Sequence, residues 1–457
     1  MSQDLRSFLK QISAEILEVS KEVDPKTEIG TLCSQSEHPI IFNNIKDYSG
    51  WRICDRIIST RKLQAVALNT TPERVVPELA KRITLGAGSK KVVKDGPVKE
   101  VILTGEEASF FKLPICKHSE GDAGLYIGGG INITRDPDTG VQNESMLRTQ
   151  IKSDRKAGFL MARRHNYAHY EKYEAKNEPM PMAMAIGVHP AYEIAVNYSG
   201  LHEGFDEFEI GAMLIGETVE LVKCHTCDLY VPADAEIVIE GEVPPHVREK
   251  EGPFGEFQLY TGKEKMSPVW NIKAITMRKD AIYRHLNATA VTDHQALGCL
   301  PNEAEVFNNV RRVYGRTEVH DVFCPPWARF TCIVQITPKY EGHAKAVLMA
   351  AMAFNIHQKE VIVVDEDVNI YDPKEVLWAI STRVNPARDV VVVTGTRGHV
   401  LDPSAPEISS EAEGKEPFNG ILGLDATRPS PLKPEERSKF DKATPAGEGR
   451  VSLKDFI

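Results

Sequence analysis

The sequence Leu125-Tyr-Ile-Gly-Gly-Gly-Ile-Asn-Ile-Thr134 contains the β-branched and aromatic residues typical of a strand, and Arg135-Asp-Pro-Asp-Thr-Gly140 follows it directly. Asp, Pro and Gly this close together are typical of a turn between antiparallel strands. The chain is therefore expected to reverse there and to return as a second strand over residues 141–148. This hairpin predicts an antiparallel β structure in the middle of the chain.

Outward from the hairpin, further β-prone segments recur at short intervals, at residues 182–188, 193–196, 219–222, 237–240 and 270–277. Helical patterns interrupt them at 167–178 and 207–215. Five or more short strands separated by turn signals favour an antiparallel barrel or sandwich over a doubly wound parallel sheet.

The flanking segments differ from this β region. The sequence predicts an α/β segment before it and a helix over residues 301–314 after it. Beyond that helix, strands and helices alternate, which is typical of a separate α/β domain. We therefore predict four parts: an N-terminal α/β segment (1–112), the β domain (113–298), a connecting helix (299–318) and a C-terminal α/β domain with its tail (319–457).

Composition excludes several classes of protein. The 457 residues carry a formal net charge of −10, and no Lys/Arg stripe offsets it, so a nucleic-acid partner is not expected. No run approaches the ~18–20 apolar residues of a membrane span. The N-terminus lacks an apolar signal core. We expect a cytoplasmic protein with no membrane association.

Among the eight scattered cysteines, only Cys224 and Cys227 are closely spaced. A zinc site would require a second such pair, and a redox Cys-x-x-Cys normally opens a helix, whereas this one runs into β-prone sequence. A structural role is favoured for the pair. The sequence also contains no Walker A loop, no dinucleotide fingerprint, no Gly-x-Ser-x-Gly and no His-Glu-x-x-His.

The segment Lys250-Glu-Gly-Pro-Phe-Gly-Glu-Phe-Gln-Leu-Tyr260 places Glu251 and Glu256 on either side of a Gly-Pro turn. Two carboxylates that approach each other cannot both ionise cheaply, so one tends to hold a proton unless a cation offsets the repulsion. The segment therefore suggests a proton donor. The alternative is a surface loop with two solvated glutamates, since Gly and Pro most often mark turns.

Other polar residues suggest a charge partner and a metal site. Arg148 ends the predicted return strand, and its guanidinium is suited to bridging two carboxylates, although an ordinary surface ion pair is the alternative. Asn143, His165 and Glu207 offer an amide oxygen, an imidazole and a carboxylate. Such a set suits Mn²⁺ or Mg²⁺ better than zinc, although each residue also fits an ordinary hydrogen-bonding role.

Taken together and in order, several segments resemble the UbiD family of reversible decarboxylases. They are Asn143-Glu-Ser-Met-Leu-Arg148, the interval from Gly158 to His165, Glu207, Asp228-Leu-Tyr-Val-Pro-Ala233, Glu251-Gly-Pro-Phe-Gly-Glu256, Val364–Trp378 and Leu422-Gly-Leu-Asp-Ala-Thr427. The resemblance covers nearly the whole chain. It implies a flavin-binding split β-barrel with an N-terminal α/β segment and a C-terminal α/β oligomerisation domain, hence a homodimer or larger homo-oligomer.

The resemblance also implies cofactors and roles for single residues. The expected cofactor is prenylated FMN, supplied by a flavin prenyltransferase, with Mn²⁺ or Mg²⁺ and K⁺. Arg148, Glu251 and Glu256 match the catalytic network of the family. The remaining matches are the metal ligands Asn143, His165 and Glu207, the cofactor contacts Ser145, Leu147 and Arg164, and a K⁺ site near the carbonyls of Val196 to Ser199 and Glu207.

The chemistry of decarboxylation agrees with these roles. Loss of CO₂ from an sp² carbon leaves a high-energy carbanion that no side chain can delocalise, so an external electron sink is required. The carbon must then receive a proton, for which Glu256 is the candidate donor, with Arg148 and Glu251 positioning it.

The substrate is expected to be a monocarboxylic heteroaromatic acid of the pyrrole, furan or indole type, since no second arginine obviously awaits another carboxylate. His294 and Asn302 are candidate substrate contacts, with Asn287 and Glu303 also considered; a linker role is the alternative for His294. Furandicarboxylate and 4-hydroxybenzoate-type or polyprenyl-hydroxybenzoate acids remain possible substrates. A flavin-binding redox protein on a split barrel and a non-catalytic oligomeric scaffold are the competing functions.

Overall fold

The computed structural model describes residues 4–86, 88–161, 164–198, 206–314, 318–353, 358–399, 401–405, 407–410 and 414–456. The chain divides into two compact units. The first is formed by the described residues of 1–305, 324–329 and 400–404, and the second by those of 306–323, 330–399 and 405–457.

The first unit contains most of the helices and strands. Its helices are α1 (Leu5–Gln11), α2 (Ile29–Gln35), α3 (Arg61–Ala67), α4 (Val75–Arg82), α5 (His165–Ala175), α6 (Pro190–Ala195), α7 (Glu207–Ile215) and the start of α8 (Asp293–Tyr314). Its strands are β1 (Leu17–Val19), β2 (Ile40–Phe42), β3 (Arg52–Asp55), β4 (Lys90–Val93), β5 (Val101–Thr104), β6 (Tyr126–Ile127), β7 (Gly130–Arg135), β8 (Gln142–Met146), β9 (Thr149–Ile151), β10 (Lys156–Phe159), β11 (Met180–Ile186), β12 (Val219–Lys223), β13 (Tyr230–Pro232), β14 (Ile237–Val243), β15 (Arg248–Glu251), β16 (Phe254–Gly255), β17 (Thr261–Gly262), β18 (Lys265–Met277) and β19 (Ile282–Arg284).

The predicted antiparallel region is confirmed as a ten-stranded sheet that curls into a half-barrel. Its strands follow the order β6-β9-β10-β18-β14-β11-β7-β8, with β5 and β15 also pairing with β18. Every pairing in this sheet is antiparallel. The long strand β18 thus joins the N-terminal part of the chain to the barrel, because it pairs with β5 as well as β14.

The hairpin predicted from residues 125–148 forms between β7 and β8. Asp136 closes its turn by accepting the backbone N–H of Asp138 at 2.9 Å, and Gly140 adopts a left-handed φ of +77°, which glycine allows at little cost. The register places Thr134 opposite Asn143. Asn143 consequently lies on a strand held by the sheet rather than in a loop.

Three smaller sheets and an apolar core complete the first unit. The strands β1, β2, β3 and β19 form one small sheet, β13, β12 and β4 form the second, and β16 pairs with β17 in the third. Apolar residues of α2, β2, β3 and the half-barrel make a common core that includes Trp270 and Tyr283, both fully buried. Burial of this apolar surface is the main stabilising contribution to the unit.

The second unit is a mixed α/β domain. It contains α9 (His343–Met352), α10 (Pro373–Arg383) and α11 (Pro434–Arg437), and the strands β20 (Val319–Phe323), β21 (Thr331–Ile336), β22 (Glu360–Asp365), β23 (Val390–Arg397), β24 (Glu407–Ser410) and β25 (Gly414–Ala426). The strands β21, β22 and β25 are parallel, whereas β20, β23 and β24 pair antiparallel at the edges. This confirms the predicted alternation of strands and helices.

Two predicted elements differ from the structure. Residues 193–196 were predicted as a strand, but residues 193–195 belong to helix α6 and Val196 is its C-cap. Pro190 starts this helix and the side chain of His189 caps it. All six residues of α6 are buried, so the helix lacks the polar face by which helical periodicity is recognised. The helix predicted to start at Pro301 begins at Asp293, with the proline inside it.

The predicted four-part division of the chain stays a prediction, since the two compact units do not test its boundaries. Within the described ranges, no helix combines the length and apolar character needed to cross a membrane.

Candidate active site

Arg148 lies between two buried glutamates that reach it from one reversed segment. Arg148 follows β8, Glu251 ends β15, and Glu256 follows β16. The chain reverses between the two glutamates at Gly252, whose φ is +91°, and Pro253, which follows a cis peptide bond. Glycine permits that φ because it has no Cβ.

The guanidinium of Arg148 contacts both acids. Its Nε and Nη2 donate to the two carboxylate oxygens of Glu251 at 3.0 and 2.7 Å, a bidentate pair. Its Nη1 donates to Oε1 of Glu256. Glu251 is fully buried and Glu256 is 4% exposed. One cation therefore offsets two carboxylates in a site that largely excludes water, where electrostatic interactions are strong.

Two aromatic residues that the sequence did not single out complete this cluster. The hydroxyl of Tyr126 has two acceptors for its single proton, Oε1 of Glu251 at 3.3 Å and the carbonyl of Pro253 at 3.2 Å. The guanidinium carbon of Arg148 lies 5.0 Å from the centre of the Phe254 ring, and the Tyr126 ring packs against the same phenylalanine. Burial and the charge of Glu251 raise the pKa of Tyr126, so the phenol stays protonated and acts as a donor.

Glu256 is held less completely than Glu251. Its backbone N–H donates to the carbonyl of Tyr260 at 2.9 Å, which fixes the local loop. A Cβ added at Gly262 would lie 2.7 Å from Oε1 of Glu256, so the glycine leaves room for this carboxylate. Arg148 binds Glu251 bidentately and Glu256 through one nitrogen, so the Glu256 carboxylate has fewer contacts with the guanidinium than the Glu251 carboxylate has.

The side chains of Asn143 and His165 meet at a second polar cluster. Asn143 lies on β8, and His165 is the first residue of α5. Oδ1 of Asn143 and Nδ1 of His165 are 2.9 Å apart. Asn166 ties this pair to the sheet by hydrogen bonds to Asn143, to Oγ of Ser145 at 2.7 Å and to Oγ1 of Thr134 at 2.9 Å.

Glu207 reaches the same strand from the start of α7. Asp206 caps this helix in a capping box with Glu209, which places Glu207 in the first turn. Oε2 of Glu207 accepts the backbone N–H of Glu144 at 2.7 Å, and Oε2 of Glu144 accepts the backbone N–H of Glu207 at 2.8 Å. The pKa of Glu207 is raised overall, because the effect of burial exceeds the opposing effects of the hydrogen bonds to Glu144 and of the nearby His165 imidazole.

The amide oxygen, imidazole nitrogen and carboxylate of Asn143, His165 and Glu207 are donor types that suit a hard divalent cation. Metal–ligand distances of about 2.1 Å in octahedral geometry place neighbouring ligand atoms about 3.0 Å apart, close to the 2.9 Å between Asn143 Oδ1 and His165 Nδ1. Burial and two neighbouring acids also raise the pKa of Glu144. A cation would neutralise carboxylates that otherwise favour protonation.

The expected cofactor contacts lie around this strand. Ser145 and Leu147 occupy β8 and the turn after it, and Arg164 precedes α5 with an exposed side chain. The buried Oδ1 of Asn132, which is opposite Ser145, has no hydrogen-bond partner among the described residues. Such an acceptor fits a ligand that donates an N–H. The expected K⁺ site falls partly outside the described residues, because Ser199 is not among them.

The candidate substrate contacts separate into two groups. Asn287 donates to the Gly30 carbonyl at 2.8 Å, and Glu303 binds Arg61 and the backbone N–H of Cys324, so both have structural partners. Asn302 donates to the Gly298 carbonyl within α8 at 3.2 Å. His294, by contrast, has a buried Nδ1 without a partner in the described structure.

Cys224 and Cys227 lie in the turn between β12 and β13, beside Glu240. Their sulfurs and one Glu240 oxygen lie within 4.8 Å of one another. The Glu240 carboxylate already accepts the backbone N–H groups of His225 and Thr226 at 2.8 and 2.6 Å. It holds the turn, and all eight cysteines are free thiols.

Models of three domains of one family match the chain. Residues 90–290 match the 3-octaprenyl-4-hydroxybenzoate carboxy-lyase Rift-related domain, residues 10–83 match the N-terminal domain of that family, and residues 295–426 match its C-terminal domain. Together these matches span most of the chain.

Individual relatives agree with the domain matches. The chain is 33% identical over 432 residues to anhydromevalonate phosphate decarboxylase of Methanothermobacter thermautotrophicus, covering 93% of this chain and 97% of the relative. The structure of HmfF from Pelotomaculum thermopropionicum with FMN matches with a TM-score of 0.89 and 36% identity, over 99% of this chain and 100% of HmfF. An evolved dimeric HmfF with prFMN matches over the full length of both chains, with a TM-score of 0.87 and 34% identity.

Proposed function

Since the chain belongs to the UbiD family of carboxy-lyases, we propose that it catalyses the reversible, non-oxidative decarboxylation of an aromatic or heteroaromatic carboxylic acid. The proposed substrate is a pyrrole-, furan- or indole-type acid, and a 4-hydroxybenzoate-type acid is the alternative within the family. The observation that carries the proposal is the buried contact of Arg148 with both Glu251 and Glu256.

In the proposed reaction, Glu256 donates the proton that replaces CO₂. Arg148 and Glu251 position Glu256, because the guanidinium is fixed bidentately on Glu251 and donates to Glu256 from its third nitrogen. Both acids are buried and already in contact with the guanidinium, so proton delivery would need little reorganisation of solvent. In the carboxylation direction, Glu256 takes the proton back as a base.

Prenylated FMN is the proposed cofactor, since the chain's own residues offer no electron sink and a structural relative binds prFMN. When bound, it would accept the electron pair released as the carbon–carbon bond to CO₂ breaks. Asn143, His165 and Glu207 would hold Mn²⁺ or Mg²⁺, with K⁺ beside it. Ser145, Leu147 and Arg164 would contact the cofactor.

The proposed partners follow from this chemistry. A flavin prenyltransferase supplies the cofactor, and the protein acts in the cytoplasm as a homo-oligomer, with residues 319–457 as the oligomerisation domain. An evolved dimeric form of HmfF supports assembly as a dimer.

The test is co-expression with a flavin prenyltransferase, followed by an absorption spectrum and CO₂ release from a panel of aromatic and heteroaromatic acids. We expect a modified-flavin spectrum and release from at least one acid, and little activity without the prenyltransferase. Full activity with ordinary FMN contradicts the cofactor. Reversible flavin reduction without CO₂ release would favour a redox protein, and absence of flavin and metal would favour a scaffold.

The metal is tested separately on the same preparation. Treatment with a chelator should remove bound Mn²⁺ and release flavin, and added Mn²⁺ should restore both, as measured by metal analysis and flavin absorbance. Glu207→Gln should weaken metal retention, whereas Glu217→Gln, an exposed glutamate beyond the same helix, should not. Equal metal content in the two variants would contradict the ligand assignment.

A second candidate substrate is an acid that also carries a phosphate. The name of the relative from Methanothermobacter thermautotrophicus specifies a phosphorylated substrate, and that relative covers nearly the whole chain. A phosphorylated enoic acid therefore belongs in the panel beside the aromatic acids.

A further inference from the structure

Arg329 is a cation that has no acidic partner among the described residues, and it lies beside Phe257, the residue that follows Glu256. It comes directly after the short 3₁₀ turn Pro326–Ala328 and belongs to the first compact unit. Its guanidinium carbon lies 4.2 Å from the centre of the Phe257 ring. Within the part of the chain that the structure describes, no carboxylate pairs with it, and its Nε is buried without a hydrogen-bond partner.

The guanidinium of Arg329 also lies against helix α8. A Cβ added at Gly298 would lie 2.1 Å from Nη2 and 2.3 Å from Cζ of Arg329. The guanidinium therefore lies close to both the Phe257 ring and the backbone of Gly298. These contacts restrict its position although no carboxylate pairs with it among the described residues.

The electrostatic environment of Arg329 is unusual for a partly buried arginine. Burial lowers its pKa; the thiols of Cys299 and Cys324 oppose this shift, and the positive charge of Arg164 adds to it. A buried charge is costly unless it is paired. Such a charge persists where a ligand provides the missing partner, so an unpaired cation beside a candidate active site indicates an anion-binding site.

His294 provides a second unpartnered polar group next to this cation. Burial lowers its pKa to about 3, and the charge of Arg329 contributes to that shift, so its imidazole is neutral at physiological pH. Its Nδ1 is buried without a partner among the described residues. The next residue, Gln295, donates to the carbonyl of Phe257 at 3.4 Å and so links α8 to the segment carrying Glu256.

We propose that Arg329 and His294 form a subsite that binds a second anionic group of the substrate, a carboxylate or a phosphate. The proposal rests on the proposed function and makes the substrate an acid with two anionic groups rather than the monocarboxylic acid expected from the sequence. Arg329 supplies planar, bidentate donors suited to either anion, and neutral His294 adds one donor. The phosphate group of the flavin is the other anion that these two residues would suit.

The experiment compares flavin-loaded wild type and Arg329→Gln on matched acids. The probes are furan-2-carboxylate, furan-2,5-dicarboxylate and an enoic acid carrying a phosphate ester. We expect Arg329→Gln to lower kcat/KM for a substrate with two anionic groups by about 10- to 100-fold, the effect of losing a charge-assisted hydrogen-bonded pair. Furan-2-carboxylate turnover and bound flavin should change less than about twofold, and Arg329→Lys should recover part of the loss.

Binding is measured independently of turnover, by the shift in Tm that each acid produces. If the dicarboxylate or the phosphate ester raises the Tm of the wild type but not that of Arg329→Gln, the subsite is supported. If at the same time no acid releases CO₂, the proposed function fails while the subsite stands. Equal losses for one and two anionic groups overturn the proposal. Loss of bound flavin also overturns it, because Arg329 would then serve the flavin phosphate.

Two further variants guard against a folding artefact. Gly298→Ala keeps the arginine but displaces its guanidinium, so it should reproduce the selective loss. Arg135→Gln removes an arginine that also lies over an aromatic ring, Tyr230, but is paired with the exposed Asp228, and it should behave as wild type. If Gly298→Ala leaves the preference for a second anionic group unchanged, the proposal is wrong.

Discussion

Arg148 and Arg284 both lie among buried acidic side chains, but they differ in how completely those acids are bound. Arg284 is fully buried and donates to both oxygens of Glu193 at 2.9 and 3.0 Å and to Asp293 at 2.6 Å, with Asp55 3.5 Å away. Arg148 has two acids, and one of them, Glu256, is bound through a single guanidinium nitrogen.

The acids around Arg284 are also engaged elsewhere. Asp293 accepts the backbone N–H groups of Ile57 and Ile58 at 2.7 and 3.0 Å, and Asp55 accepts that of Arg56 at 2.6 Å. The Arg284 cluster thereby joins α6, α8, β3 and β19, and its polar groups are satisfied within the protein. A saturated cluster stabilises the fold, whereas a cluster with remaining capacity can exchange a proton with a ligand.

The largest effect expected from this difference is on turnover in Glu256→Gln. The variant keeps the hydrogen bond to Arg148 but cannot donate a carboxylic proton, so we expect kcat to fall by about 10²- to 10⁴-fold. Bound flavin and the free energy of unfolding should stay close to wild type. Glu264→Gln, on an exposed residue that pairs with Lys250, is the matched control. Near-normal turnover in Glu256→Gln would remove its role as proton donor.

The reverse result is expected for Arg284. Arg284→Met leaves three buried acids without their cation, so we expect the free energy of unfolding to fall by about 3–5 kcal/mol. Urea denaturation of flavin-free protein measures this change without reference to activity. If Arg284→Met unfolds like wild type while Glu256→Gln is strongly destabilised, the Arg284 cluster does not stabilise the fold and the Arg148 cluster does, contrary to the assignment made above.

A smaller effect concerns pH. Burial, together with the charge of Asp293, raises the pKa of Asp55 to about 7, well above its usual value near 3.9. The folded state therefore binds more protons than the unfolded state between pH 4 and 7, so stability falls as pH rises through this window, by at most ~1.4 kcal/mol per pH unit for one proton.

Asp55→Asn isolates this contribution, because the amide resembles the protonated acid. Urea unfolding between pH 4 and 8 should show a weaker loss of stability with rising pH in the variant than in the wild type. Identical slopes for the two proteins would show that Asp55 does not titrate in this range.

The two clusters also show what the sequence revealed. Glu251 and Glu256 were identifiable because a Gly-Pro turn between nearby acids is a local feature. Arg148 was a candidate because it ends the predicted return strand, and the resemblance to a family placed it in the same network. The Arg284 cluster combines residues 55, 193, 284 and 293, whose proximity depends on how β3, β19, α6 and α8 pack. No spacing in the sequence encodes that proximity.

The same limit explains the residues that were missed. Tyr126 looked like an ordinary strand residue, because its contact with Glu251 bridges 125 positions of the chain. The sequence around Arg329 does not mark it as functional, because what distinguishes it is that no carboxylate pairs with it among the described residues. The antiparallel fold of the barrel was predictable, by contrast, because alternation and turns are local properties.

The smallest effect is expected for Tyr126→Phe. The phenol hydroxyl is 3.3 Å from Glu251 and 3.2 Å from the Pro253 carbonyl, long distances for an O–H donor. Losing one hydrogen bond of about 0.5–1.5 kcal/mol should lower kcat by about 2- to 10-fold, while the retained ring still packs on Phe254. Steady-state kinetics with the best acid of the panel measures this change. A loss as large as that of Glu256→Gln would make the phenol itself the proton source, because a residue that only supports Glu251 through one long hydrogen bond cannot account for such a loss.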